Sequence, residues 1–354
     1  MTILNPHQIS IKNNCFFGLP TTLESSQVVF LSVPWDATVS YGEGTADGPA
    51  TILDASYQLD WYDFDLPQAW EVGYGTIPIS QKIRSKSQVT RAIALKVIEH
   101  LESGNDLNAP VIAQELNMVN QASAELNHWV YQQCQDFLAQ GKLIALVGGD
   151  HSVPLGYMKA LTENHPEYSI LHIDAHADLR SAYEGFTYSH ASIMNNVLQL
   201  PNINKLVQVG IRDLCQEEMD KINNDDRLIL FDDWHLKSNI YQGVTWQQLC
   251  QQIISHLSDL VYISFDIDGL NQAFCPHTGT PVPGGLDFNQ AIYLIQTLVK
   301  SGKKIIGFDL CEVAPGDGDQ WDGNIGARLL YKLTNLMYLS HQRGRVISHQ
   351  QFMV

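Results

Sequence analysis

Seven short runs of almost uninterrupted apolar residues punctuate the chain, at 28–33, 143–147, 169–173, 206–209, 228–231, 260–265 and 304–308. Runs this short, without polar alternation, are what strands covered on both faces require. Helical patterns lie between several of them. Leu126, Val130, Cys134, Phe137 and Leu138 make one apolar stripe, closed by Gly141 at a C-cap position. Segment 289–300 repeats the arrangement, with Gly302 behind it. Strand, helix, strand in repetition predicts an α/β fold, a three-layer αβα sandwich around a mainly parallel sheet. The stretch 83–140 is polar and rich in Gln and Asn, with Val89, Ile93, Val97 and Leu101 on one helical face. It reads as a helical excursion on one side of the sheet, within a single domain spanning 1–354.

In a parallel sheet, sites form beyond the carboxyl ends of the strands, and the unusual polar residues fall there. Gly148-Gly149-Asp150-His151-Ser152 follows one run, Asp174-Ala175-His176-Ala177-Asp178 the next, Asp266 and Asp268 a third, and Glu312 a fourth. Read as extended chain, 174–178 and 266–268 put alternate side chains on one face, so their carboxylates and imidazole share a space. The pool of ligands is His151, His176, Asp174, Asp178, Asp266 and Asp268, too many for one ion. Converging carboxylates repel one another in a low-dielectric cleft, and two divalent cations neutralise them. A carboxylate-rich set without thiolates suits manganese, two Mn2+ per chain, better than structural zinc. Two such ions about 3.5–4 Å apart activate water near neutral pH.

The segments GGDHS, DAHAD, SFDIDG and EVAP, in this order, together with PWDATVSYGEGTADGPATILDAS at 34–56, resemble the ureohydrolase family of arginases, agmatinases and formiminoglutamases over nearly the whole chain. The resemblance implies an arginase-like fold. It also implies that His151 and Asp178 ligate one ion, His176 and Asp268 the other, and that Asp174 and Asp266 bridge both. Glu312 is expected to pair with a substrate guanidinium, since a planar cation asks for a carboxylate. Asp150 is expected to orient His151. His190, in Tyr188-Ser189-His190-Ala191-Ser192, stands where agmatinases and arginases carry a proton-shuttling histidine, a role suited to imidazole. Formiminoglutamases generally lack it.

Departures from the family pattern fall on the loops that choose a substrate. His277 stands where a glycine is usual, Asn271 replaces part of an Asp-Pro, and the stretch after Glu312 is acidic and carries Trp321. His172, inside a strand, reads as a hydrogen-bonded core residue. The leading expectation is a hydrolase of C–N bonds in linear amidines that splits a cationic guanidino substrate, agmatine first, into an amine and urea. The alternatives are an arginase or other guanidino-acid or guanidine hydrolase, a formiminoglutamase releasing formamide, and a non-catalytic metal-bound ligand-binding protein.

The remaining expectations come from composition and likeness. A formal net charge of −17 disfavours nucleic acid, which needs basic surface. Six scattered cysteines with no C-x-x-C pair read as reduced thiols in a cytoplasmic protein. The start, MTILNPHQISIKNN, has no signal-peptide pattern. No apolar stretch nears the roughly 18 residues of a membrane span. Family likeness alone suggests a homo-oligomer, a trimer or hexamer.

Overall fold

The computed structural model of the chain describes residues 10–342. The first nine residues, part of the segment read as lacking a signal-peptide pattern, lie outside them. Eight strands form one sheet: β1 (Val28–Val33), β2 (Tyr74–Thr76), β3 (Leu143–Gly148), β4 (Tyr168–Ile173), β5 (Ile203–Val209), β6 (Leu228–Phe231), β7 (Leu260–Asp266) and β8 (Lys304–Cys311). Their order is β2-β1-β3-β8-β7-β4-β5-β6, and every neighbouring pair is parallel. All seven apolar runs are strands. The three-residue β2 is an addition: Tyr-Gly-Thr is too short to show a period. β5 starts earlier than its apolar run because Asn204 and Lys205 are half-buried polar positions on the strand. β8 continues through Asp309, a carboxylate that reads as a strand end in sequence but is fully buried.

Among the described residues ten α-helices connect and cover the strands. They are α1 (Gly48–Ser56), α2 (Gln81–Glu102), α3 (Pro110–Leu138), α4 (Leu155–Asn164), α5 (Ile193–Val197), α6 (Gln216–Asn224), α7 (Asp233–Tyr241), α8 (Trp246–Ser255), α9 (Phe288–Lys300) and α10 (Trp321–Ser340). Several starts are set by side chains that accept an otherwise unpaired backbone N–H, such as Ser80 from Ile83, Asp232 from His235 and Thr245 from Gln248. α1 and α7–α10 pack Ile52, Leu236, Leu249, Leu294 and Leu329 against one sheet face. α3–α5 pack Val130, Tyr157, Leu161 and Met194 against the other. Each such side chain, fully buried, contributes on the order of 1.5–3 kcal/mol. The polar stretch folds as the long pair α2 and α3, packed together through an apolar seam of Ala94, Val97, Ile98, Ile112 and Val119. Among the described residues no helix is long and apolar enough to cross a membrane.

Candidate metal centre and active site

The Gly148-Gly149 turn lets β3 end in close contact with its neighbours. A Cβ on Gly149 would stand 1.8 Å from the Trp35 carbonyl oxygen, and one on Gly148 2.4 Å from Cys311 Sγ. Two residues on, His151 is almost fully buried and points its Nδ1 at Asp174 Oδ2 (2.9 Å), Asp178 Oδ2 (3.2 Å) and Asp266 Oδ2 (3.4 Å). His176 Nδ1 lies 3.2 Å from Asp268 Oδ2 and 3.5 Å from Asp174 Oδ1. The six residues singled out as ligands thus converge. Asp174 belongs to two groups of donor atoms that each lie within 4.8 Å of one another, one with His151 and Asp178, the other with His176 and Asp268.

Convergence does not come from strand alternation. β4 ends at Ile173, and 174–178 is irregular chain in which Asp178 takes the left-handed conformation (φ 55°). A non-glycine residue adopts that region only when its surroundings hold it. Here Asp178 O accepts from Met194 N (3.0 Å), and Asp174 Oδ1 accepts from His176 N (2.6 Å). Asp266 is the last residue of β7, and its Oδ1 accepts from Asp268 N (2.8 Å), closing the short turn Ile267–Gly269.

Beneath the cluster, the register aligns Gln208, His172, Ser264 and Asp309 side by side across β5, β4, β7 and β8. All four are fully buried. Gln208 Nε2 donates to Ala177 O (2.7 Å) and to His172 Nδ1 (3.0 Å), so the His172 proton sits on Nε2 and goes to Asp174 Oδ2 (2.8 Å). Ser264 Oγ donates to Asp309 Oδ2 (2.9 Å) and accepts a hydrogen bond from His151 Nε2–H (2.8 Å), which leaves His151 Nδ1 facing the carboxylates. This row does what had been expected of Asp150. Asp150 Oδ1 instead accepts from the Ser152 N–H (3.0 Å) and hydroxyl (2.5 Å), closing its own turn. Ser264 and Asp309 went unnoticed in sequence, although a carboxylate inside an apolar strand was a usable signal.

The electrostatics of the cluster call for cations. Burial and Asp174 together raise Asp178 to about 6, against the pull of His151. Burial, Asp268 and Asp174 push Asp266 well above the carboxylate range. Burial alone would lower His151, yet Asp174, Asp178, Asp266 and Asp309 hold its pKa well above normal. Asp268 Oδ2 is buried without a hydrogen-bond partner. Four carboxylates and two imidazoles with no thiolate among them fit a pair of divalent cations, the charge such a set needs.

The centre reaches a cavity of about 260 Å³ through His176 and Asp178, which line it with His190, Tyr183, Asp213 and Tyr41 among others. His190 opens a short 3-10 turn, His190–Ser192, with its ring edge-on to Tyr183 and its Nδ1 buried and unpartnered. Burial, with His176 and His151 nearby, drives its pKa down to about 3, so the ring is neutral at ordinary pH. Glu312 is buried in a left-handed conformation (φ 63°), and its Oε1 accepts from His151 N (2.8 Å). Burial and Asp150 raise its pKa, against the His151 N–H. His277 is not at this cavity but on a neighbouring loop, bound to Asp322.

The rim is held from the helical excursion. Arg91 of α2 binds Glu43 Oε1 (2.9 and 3.1 Å) and Val39 O, flanking the rim residues Ser40 and Tyr41. Asn120 of α3 bonds Gly185 O (3.3 Å) and Thr187 N (2.9 Å), flanking Tyr183 and His190. On the wall, the Arg180 guanidinium lies 4.8 Å over the Tyr183 ring and 3.9 Å from Glu218, whereas the exposed Asp213 carboxylate has no partner among the described residues.

A parallel three-layer α/β fold with a buried His/Asp metal-binding cluster at its strand ends defines a metal-dependent hydrolase class. Residues 26–335 match the arginase family, and the chain belongs to that family. It is an agmatinase-like ureohydrolase, acting on C–N amidine bonds. It is 29% identical over 316 residues to the N(1)-aminopropylagmatine ureohydrolase of Synechocystis sp., covering 88% of this chain and 90% of that one. It is 31% identical over 327 residues to the agmatinase of Blochmanniella floridana, covering 89% and 91%. The fold matches the agmatine ureohydrolase of Thermoplasma volcanium with a TM-score of 0.71 at 22% identity, covering 92% of this chain and 94% of that one.

Proposed function

We propose that the chain hydrolyses a linear guanidino compound with a cationic tail, agmatine first, to an amine and urea, using two manganese ions. In this reading His151 and Asp178 would hold one ion and His176 and Asp268 the other, with Asp174 and Asp266 available to both. The observation that carries it is the convergence of these six side chains beside a cavity that His176 and Asp178 line and whose wall presents His190 and the unpaired Asp213. Bound there, the cations would offset the carboxylate charge and make a water molecule nucleophilic near neutral pH.

The chain's own groups do the rest. Glu312 orients the guanidinium by a charge-assisted pair, which favours a cation over a neutral urea-like molecule. Neutral His190 takes up the proton released when water adds to the guanidinium carbon and delivers it to the departing amine nitrogen. Asp213 attracts the positive tail of the substrate. N(1)-aminopropylagmatine, named for relatives of this chain, shares that chemistry with a longer cationic tail. An assembly of several copies, expected from likeness, belongs to the same proposal.

Protein loaded with manganese is offered agmatine, N(1)-aminopropylagmatine, arginine, 4-guanidinobutyrate, guanidine and formiminoglutamate, and both urea and formamide are measured. Urea from an amine-tailed guanidine supports the reading. Formamide without urea, or no product from any compound, overturns it.

A further inference from the structure

His277 and Asp322 form a buried-to-surface pair that the chemistry above leaves unused. Asp322, in the first turn of α10, is almost fully buried and gives both oxygens to one residue: Oδ1 accepts from the His277 N–H (3.0 Å) and Oδ2 from its Nδ1 (2.8 Å). Backbone and ring of His277 are thereby fixed together. The residues that follow press on Glu312. Thr278 Oγ1 donates to Glu312 O (2.8 Å), and a Cβ on Gly279 would stand 3.2 Å from Glu312 Oε2. Gly42 N in turn donates to Gly279 O (3.0 Å), so the loop is braced from its far side. Glu312 needs such bracing. Its left-handed backbone is one that a non-glycine residue keeps only under external constraint, and among the described residues its carboxylate is otherwise tied by the His151 N–H.

We propose that His277 and Asp322 form a positioning clasp that holds the 275–282 loop against Glu312 and so sets the Glu312 carboxylate for guanidinium recognition, an inference that rests on the reading of Glu312 given above. His277 acts through the loop and does not meet the substrate. Asp322, with Asp319 and Asp317 nearby, also raises the His277 pKa, which strengthens the pair near neutral pH.

The test compares His277→Ala, His277→Asn, Glu312→Gln and the double variant His277→Ala/Glu312→Gln, loaded with manganese and probed with agmatine. KM and kcat are read by urea release, affinity by calorimetry where turnover is lost, and metal content by elemental analysis. His277→Ala is expected to weaken agmatine about tenfold, the scale of one hydrogen bond to a charged group, with kcat moved less and metal content unchanged. Asparagine, whose Nδ2 can replace the ring donor, is expected to restore native affinity. In the Glu312→Gln background, His277→Ala is expected to add no further loss. Native affinity in His277→Ala, or a full additional loss on top of Glu312→Gln, would overturn the clasp. Native affinity in Glu312→Gln alone would overturn the reading of Glu312, and the proposal with it. Hydrogen exchange across 275–282 gives a check that needs no turnover. It should rise in His277→Ala and return in His277→Asn, and unchanged exchange would sink the idea.

Discussion

His151 Nε2 rests 2.8 Å from Ser264 Oγ, so the proton that fixes the imidazole's tautomer is held from below by a hydroxyl committed to Asp309. Outer partners of this kind orient metal-binding histidines and raise their basicity. Asp309→Asn is therefore expected to lower affinity for manganese about 10–100-fold. Calorimetric titration of the metal-free variant checks it, and affinity equal to the native protein would remove Asp309 from this role.

Asp266 stands within reach of His151 and is bonded to Asp268 N, between the two donor groups that share Asp174. Removing its carboxylate takes away a proposed bridge. Asp266→Ala is expected to hold fewer than two ions per chain and to lose urea release. Elemental analysis after desalting reads the first effect directly. Two retained ions with native activity would refute the assignment.

His190 lies on the cavity wall with a ring nitrogen that has no hydrogen-bond partner among the described residues, outside the converging donor groups. His190→Ala is expected to keep both ions and to lose about 10²–10⁴ in kcat, with a smaller change in KM. Partial recovery with added imidazole would agree. A native rate across the pH range would mean that another group moves the proton.

Glu184 occupies a left-handed position (φ 54°) beside the rim, and its pKa is raised to about 7 by burial and by Glu102, with Arg91 opposing. A carboxyl whose pKa is higher folded than unfolded favours folding while protonated. That advantage is fully present below its ordinary value and is lost as pH rises through about 7. Glutamine, always neutral, escapes the loss. Glu184→Gln is expected to gain in melting temperature over the native protein on going from about pH 5 to about pH 8.5, and parallel pH profiles would count against it.

Gly149 is expected to tolerate no side chain. Gly149→Ala drives a methyl into the Trp35 backbone, and overpacking against atoms that cannot rotate away costs about 2 kcal/mol or more. Denaturant unfolding measures this, and a native midpoint would show that the turn can relax.

The sheet was readable because strands buried on both faces leave continuous apolar runs, and the ligands because their motifs follow those runs. β2 was not, since three residues at a sheet edge carry no pattern. The route by which DAHAD gathers its ligands was misread as strand alternation. It depends on the left-handed Asp178 and on Met194, an interaction sixteen positions distant in chain that local pattern does not encode. The row from Gln208 to Asp309 was hidden for a similar reason. Each member lies on a different strand, and only the lateral register brings them together. The arginase family was legible through the resemblance of its motifs, which lie at the strand ends, whereas the substrate was not, because the loops that choose it depart from the family pattern.

The helices α2 and α3 brace the lip of the cavity, Arg91 through Glu43 and Asn120 through Gly185, and supply none of the six converging side chains. The converging side chains and the brace of the rim are thus written in separate stretches of the chain. Mutational drift in the hairpin can reshape the doorway, and with it the range of compounds admitted, without disturbing the machinery inside. Swapping this hairpin for that of a relative is accordingly a route to a new diet for an unchanged reactor.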